Sequence, residues 1–286
     1  MSYVVLYVLS FLLFSQTLRF AQKKNGDMFT VAAINYVVAA VICVTYFAIL
    51  GFPDFHSVKW EIWLAGFGNG LVYFFNLLAI LMAYRFAGVG IASASVGISL
   101  IVPVVFSWAL WEEAMPVSRW IAVFLTPFAI ACMRPKQDAF GRGSMKGELA
   151  LVACFLCAGT VRTIHKYATV VATPEYEQLR VYQALVWVCA AAASTSYVRF
   201  RNLPYHFREI YLGALAGFFN VFTLFFTLLS LSVVAAVVFF PTSLCSVIVF
   251  NLMISWMLWR ERLIKRQIFG ITLAMVVVIL VNMGGF

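Results

Sequence analysis

Charge is scarce in this chain. Only 11% of its 286 residues are Asp, Glu, Lys or Arg, against about 25% in soluble domains. With 64% hydrophobic residues, an ordinary water-soluble globule is excluded and the bilayer is the expected solvent. Acids are scarcer still, 11 against 20 Lys and Arg. All of them fall in loops or at the ends of apolar runs, so none stands mid-span. A cation carrier needs anionic ligands and a proton carrier often uses an intramembrane carboxylate; both are disfavoured. No pair of mid-span carboxylates, no His-x-x-x-His pair and no nucleophile beside a base is present, which argues against a membrane enzyme. The six cysteines include Cys154-x-x-Cys157, but no second pair accompanies it. These cysteines are expected to pack as small hydrophobes, with no metal and no cofactor. A basic leader with a cleavage site is lacking, so no signal peptide is expected. No polar extramembrane domain interrupts the chain, and the longest connection, 134–146, is a linker.

What the chain does have is apolar length. A helix spans a bilayer with about 20 residues at about 1.5 Å each. Ten runs meet that need: 2–20, 28–52, 60–84, 88–111, 117–133, 147–167, 176–197, 210–231, 233–259 and 263–283. The third and fourth runs, and the eighth and ninth, are joined by very short turns. The expected class is an all-α integral membrane protein of ten transmembrane helices.

The chain also repeats itself. Ser107-Trp-Ala-Leu-Trp-Glu-Glu113 returns as Ser255-Trp-Met-Leu-Trp-Arg-Glu261, with five of seven positions alike at an offset of 148. Residues 64–78 (LAGFGNGLVYFFNLL) return as 215–229 (LAGFFNVFTLFFTLL) at an offset of 151. The layout is therefore two five-helix units, 1–133 and 147–286, around the linker 134–146. Five is odd, so the second unit is inverted relative to the first. Duplicated apolar chains are how many carriers are built, with the solute site between the copies.

The net charge of +9 reports sidedness and not nucleic acid. With ten spans, one set of loops holds 15 of the 20 Lys and Arg, and the other holds only Lys59 and Arg119. The remaining three, Arg162, Lys166 and Arg180, lie in or at the ends of spans. Basic loops face the cytoplasm. The termini of this cell-membrane, multi-pass protein are then expected outside.

Candidate site residues are polar groups inside the spans. Asn69 and Asn220 occupy matching positions in the two copies. Tyr73 and Asn76 share the helix face of Asn69. A buried amide in a bilayer needs a partner, so each Asn either bonds a neighbouring helix or contacts a solute. Gln16, one turn before Arg19, carries the same two alternatives. Gly66-x-x-x-Gly70 and Gly213-x-x-x-Gly217 lie on equivalent helices and permit close packing, which also allows sliding. On the sixth span Arg162, His165 and Lys166 share one side. Lys166 and Arg180 are expected to reach the interface and pair with Glu175 and Glu177. Arg162 lies about five residues, roughly 7 Å by helix rise, inside the span. There it could hold a carboxylate or phosphate in bidentate fashion. His165 is either structural or a titrating group near neutral pH.

The segment Leu258-Trp-Arg-Glu261-Arg-Leu-Ile-Lys-Arg-Gln267-Ile-Phe-Gly270, followed by an apolar helix, resembles the ending of an EamA-type unit of the drug/metabolite transporter superfamily. Glu113 matches the Glu in the first copy, whereas Arg119 and Ala122 replace the Gln and Gly. Pro103 resembles the family's fourth-helix proline, and Arg19 and His165-Lys166 its first-helix basic residue. The resemblance implies ten helices in two inverted repeats, a solute cavity bounded mainly by the first, third, fourth, sixth, eighth and ninth helices, and alternating access. It implies cytoplasmic termini, against the charge count.

The expected function is a secondary transporter of a small organic solute, zwitterionic or anionic, such as an amino acid or related compound. Asn69, Asn76, Asn220 and Arg162 would contact it, with Gln16, Tyr73 and His165 nearby. The expected partners are that solute and the lipid bilayer, with no nucleic acid. Monomer and homodimer both fit. The alternative is a membrane scaffold that transports nothing. On the charge count, a cysteine added at the C-terminus of intact cells is labelled by an impermeant reagent from outside. Labelling only after permeabilisation would give the opposite orientation.

Overall fold

The computed structural model describes residues 2–24, 26–86, 89–133, 145–173, 175–258 and 265–283. Among them the secondary structure is wholly helical, with no strand. In chain order the helices are α1 (Ser2–Lys23), α2 (Met28–Leu50), α3 (Trp60–Phe86), α4 (Val89–Ile98), α5 (Ile101–Trp111), α6 (Val117–Met133), α7 (Met145–Ala172), α8 (Tyr176–Phe200), α9 (Phe207–Val233), α10 (Ala236–Leu258) and α11 (Lys265–Met283). Seven of the described helices are long and apolar enough to cross a membrane. The chain is an all-α, multi-pass membrane protein on that ground. Three shorter apolar stretches, Ser95–Trp111, Val117–Cys132 and Ile268–Asn282, accompany them.

The helix ends follow from local chemistry. Asp27 caps α2, its Oδ1 accepting from the Thr30 N–H at 2.8 Å, as an N-cap carboxylate should. Gly51, at φ +94°, ends the same helix. At the end of α8, Asn202 takes a left-handed conformation (φ 50°). The Leu203 N–H then reaches the Val198 carbonyl and the Asn202 N–H the Arg199 carbonyl, both at 3.1 Å. That is a Schellman closure with Asn in the place usually held by Gly.

The run 88–111, expected as one span, is broken at Ser99–Leu100. Pro103 explains the break. It has no N–H to give the Ser99 carbonyl, and its ring crowds the preceding turn. The ladder tightens there: the Leu100 N–H bonds the Gly97 carbonyl at 3.3 Å and the Val102 N–H the Ser99 carbonyl at 3.1 Å.

The chain divides into two compact units. The first, 1–74 with 167–233, holds α1, α2, α8, α9, the first part of α3 and the end of α7. Its core is built on Trp187, Tyr182, Ile62, Val31 and Leu228, all fully buried. The second, 75–166 with 234–286, holds the rest of α3, α4, α5, α6, most of α7, α10 and α11. There a layer of small residues, Ala79, Ala83, Ala92, Ala150 and Cys154, brings α3, α4 and α7 together. Each unit takes helices from both halves of the sequence. The linker 134–146 lies outside the described residues except for its last two positions, as do Arg260, Glu261 and the rest of 259–264 in the second Trp-x-x-Trp motif.

Candidate functional site

The first unit carries a buried cluster of amides and aromatic rings. Asn69 on α3 is fully buried and donates from Nδ2 to the Tyr182 hydroxyl of α8 at 2.6 Å. Asn220 on α9 donates from Nδ2 to Asn35 Oδ1 of α2 at 3.1 Å. Gln183, also buried, donates to the Val221 carbonyl at 2.8 Å. Tyr36 stacks on Trp187 with centroids 5.8 Å apart, and Tyr73 meets Trp187 edge-on at 5.4 Å. The Trp187 indole N–H is buried and has no acceptor among the described residues.

Both matched asparagines thus make interhelical hydrogen bonds, and the two bonds correspond. Asn220 follows Asn69 by 151 residues, and Tyr182 follows Asn35 by 147. The glycines obey the same register. A Cβ added to Gly66 would stand 2.6 Å from that of Leu185, and one added to Gly217 would stand 2.9 Å from that of Val38. Gly217 follows Gly66 by 151 and Leu185 follows Val38 by 147. So α3 packs on α8 as α9 packs on α2. At Gly70 the approach is closer still, 2.5 Å from Cys189 Cβ and 2.7 Å from the Val186 carbonyl. Only a residue without a side chain allows such backbone proximity. These contacts all lie inside the first unit, so the glycines fasten one compact body.

Beside the α3–α8 crossing, Phe67, Leu71, Cys189, Ala192, Ala193 and Ser196 line an open groove of about 370 Å³. It is nearly all apolar, and none of the amides opens into it.

The charged face of α7 belongs to the second unit. Arg162 Nη1 donates to the Val96 carbonyl at 2.9 Å and to the Ser99 hydroxyl. It therefore caps the C-terminal end of α4, where the Pro103 break leaves carbonyls without helical partners. A cation is favourable at that end of a helix. Gly159, one turn earlier on α7, lets Val102 approach; an added Cβ would lie 2.8 Å from Val102 Cβ. For Lys166, expected beside Glu175 and Glu177, the ion pair is with Glu113. Its Nζ meets Glu113 Oε1 at 2.7 Å, with both side chains 10% exposed. Glu113 also accepts from the N–H groups of Ala236 and Val237, each at 3.0 Å, and so caps α10. Arg180 does pair with Glu177, at 2.7 Å, while Glu175 takes the amide of Gln178.

The remaining expected residues are placed separately. His165 is buried on α7 between Arg162 and Lys166. Asn76 lies in the part of α3 that belongs to the second unit, and its Oδ1 is buried without a donor among the described residues. Gln16 is half-buried on α1. The cluster of the first unit therefore joins Asn69, Tyr73 and Asn220, while Arg162 and His165 belong to the second unit. Sequence reasoning left out Asn35, Tyr36, Tyr182, Gln183 and Trp187. Their polar or aromatic character inside α2 and α8 was the available signal. All six cysteines are free, and no group of potential metal ligands occurs among the described residues.

No family model matches this sequence. An uncharacterized protein of Haemophilus influenzae is 26% identical over 163 residues, which are 53% of this chain and 54% of that protein. The matched stretch thus spans about half the length of that curated relative. A solved crystal structure, described only as that of a protein, superposes with a TM-score of 0.80 over 100% of this chain and 99% of its own, at 14% identity. That likeness concerns the fold alone.

The Glu113 bridge has a measurable consequence. Removing one partner of a buried ion pair costs about 3–5 kcal/mol, because the other charge is left uncompensated. Glu113→Gln and Lys166→Met should each lower stability on that scale. The double variant should cost clearly less than their sum. Unfolding in detergent measures all three, and strict additivity would show that the pair is not coupled.

Proposed function

We propose that this chain is a secondary transporter that moves a small organic solute across the cell membrane by alternating access. In this reading it has ten spans, with α4 and α5 forming one broken span, arranged as two inverted five-helix repeats. The reading follows the resemblance of its second copy to EamA-type members of the drug/metabolite transporter superfamily. One observation supports it most. The crossing of α3 on α8 and that of α9 on α2 share one glycine contact, Gly66 with Gly217, and one asparagine hydrogen bond, Asn69 with Asn220, in matching places. Interlocked copies of this kind are the construction of many carriers.

The amide and aromatic cluster is the proposed solute contact region, since it combines stacking faces with hydrogen-bonding groups and lacks net charge. The Trp187 N–H is its donor without an acceptor among the described residues, and an oxygen of the solute would satisfy it. Arg162 serves the break in the fourth span in this conformation. As the proposed ligand of an anionic group, it would have to exchange the Val96 carbonyl for the solute. The termini are proposed to face outward on the charge count.

The test is flux into liposomes with purified protein and a panel of amino acids, sugar phosphates and quaternary amines. Saturable movement of at least one solute is expected. Trp187→Phe, which keeps a ring but drops the N–H, should raise the apparent KM about fivefold, the worth of roughly 1 kcal/mol. A folded protein that moves nothing on the panel would favour the scaffold alternative. Flux unaffected by Trp187→Phe would remove the cluster from the solute path.

A further inference from the structure

One end of the first unit is built from two loops tied together. The Thr30 hydroxyl at the start of α2 donates to the Pro204 carbonyl at 3.3 Å. Arg208 Nη1 on α9 donates to the Lys24 carbonyl at the end of α1, at 2.5 Å. The α1–α2 connection is thereby held against the α8–α9 connection. The Schellman closure at Asn202 turns the chain so that Arg199 and Arg201 stand at the same end. Five basic residues are brought together: Lys23, Lys24, Arg199, Arg201 and Arg208, all exposed.

Two acids, Asp27 and Glu209, stand at this end against the five basic residues. Asp27 is used as the α2 cap. Glu209 is buried, 1% exposed, and takes Arg208 Nη2 at 2.8 Å. The balance of charge at this end is therefore cationic. Between and beside the basic residues stand Phe200 and Phe207, 82% and 83% exposed. Two phenylalanines that far out of a protein are costly in water but suit the boundary between headgroups and acyl chains of a bilayer. Lys and Arg at the same level lie where lipid phosphates lie.

We propose that this end of the first unit is a binding surface for anionic phospholipid headgroups. The basic residues take the phosphates, and Phe200 and Phe207 enter the acyl boundary beneath them. The surface rests on the multi-pass membrane character of the chain and not on the transport reading. It distinguishes phosphatidylglycerol from phosphatidylcholine because only the former has net negative charge.

The full chain, purified in detergent, is titrated with fluorescent phosphatidylglycerol or phosphatidylcholine. Neighbouring basic residues each contribute about fivefold in association with an acidic lipid. Wild type should therefore retain phosphatidylglycerol about tenfold or more better, with the preference falling as salt rises. The combined variant Lys23→Gln, Lys24→Gln, Arg199→Gln, Arg201→Gln should lose the preference while its retention of phosphatidylcholine stays unchanged. These four side chains are exposed, and Arg208 with its structural bond is left intact. Equal retention of the two lipids by wild type would overturn the proposal, whether or not the variant folds. So would a folded variant with undiminished preference. Complete displacement of the lipid by millimolar inorganic phosphate would assign the surface to a soluble anion and overturn the lipid assignment.

Discussion

In a bilayer no water is at hand to satisfy a polar group, so each one must find its partner inside the protein. Much of this structure follows from that constraint. Asn69 and Asn220 sit where lipid-soluble chains place leucine, and each survives by bonding a neighbouring helix. The glycines beside them make the bonds possible, because they let the backbones close to distances that any side chain would prevent. Interhelical hydrogen bonds in membranes average about 0.6 kcal/mol. Their effect here is on register more than on stability: a shift of one residue would leave both amides facing hydrocarbon.

The same constraint governs the second unit, with charges in place of amides. A proline breaks the helix between α4 and α5 and exposes carbonyls at the end of α4, and Arg162 covers them. The start of α10 has N–H groups without helical partners, and Glu113 covers those. Lys166 then balances Glu113. Cation at a C-terminus and anion at an N-terminus agree with the helix dipoles. Lys59 and Arg119 also bond backbone carbonyls. Lys59 Nζ reaches the Val171 carbonyl near the end of α7 at 2.7 Å. Arg119 reaches the Ala114 carbonyl at 2.7 Å and the Val281 carbonyl at 3.3 Å. Arg119 is buried, whereas Lys59 stays exposed.

The helical layout was largely legible in the sequence, because apolar length alone decides it. Helices begin at Met28, Trp60, Val117 and Tyr176 as hydropathy places them. The interruption at Ser99 was signalled by Pro103 but masked by the unbroken apolar run around it. Partners were less legible. The acids nearest to Lys166 in sequence are Glu175 and Glu177, yet its partner is Glu113, brought there by the packing of α7 with α5. Symmetry singled out Asn69 and Asn220, but not the residues they bond. Tyr182 and Asn35 differ in type, so no motif links them, and only the crossing of the helices reveals that they hold equivalent places.

The central claim is that two matched crossings, each pairing a buried amide with a helix from the other half of the sequence, fasten the first unit. Double-mutant cycles on unfolding test it most directly, using Asn69→Leu with Tyr182→Phe and Asn220→Leu with Asn35→Leu. Coupling of the same sign in both cycles, each about 0.5–1.5 kcal/mol, is predicted. Additive effects in both cycles would contradict the claim.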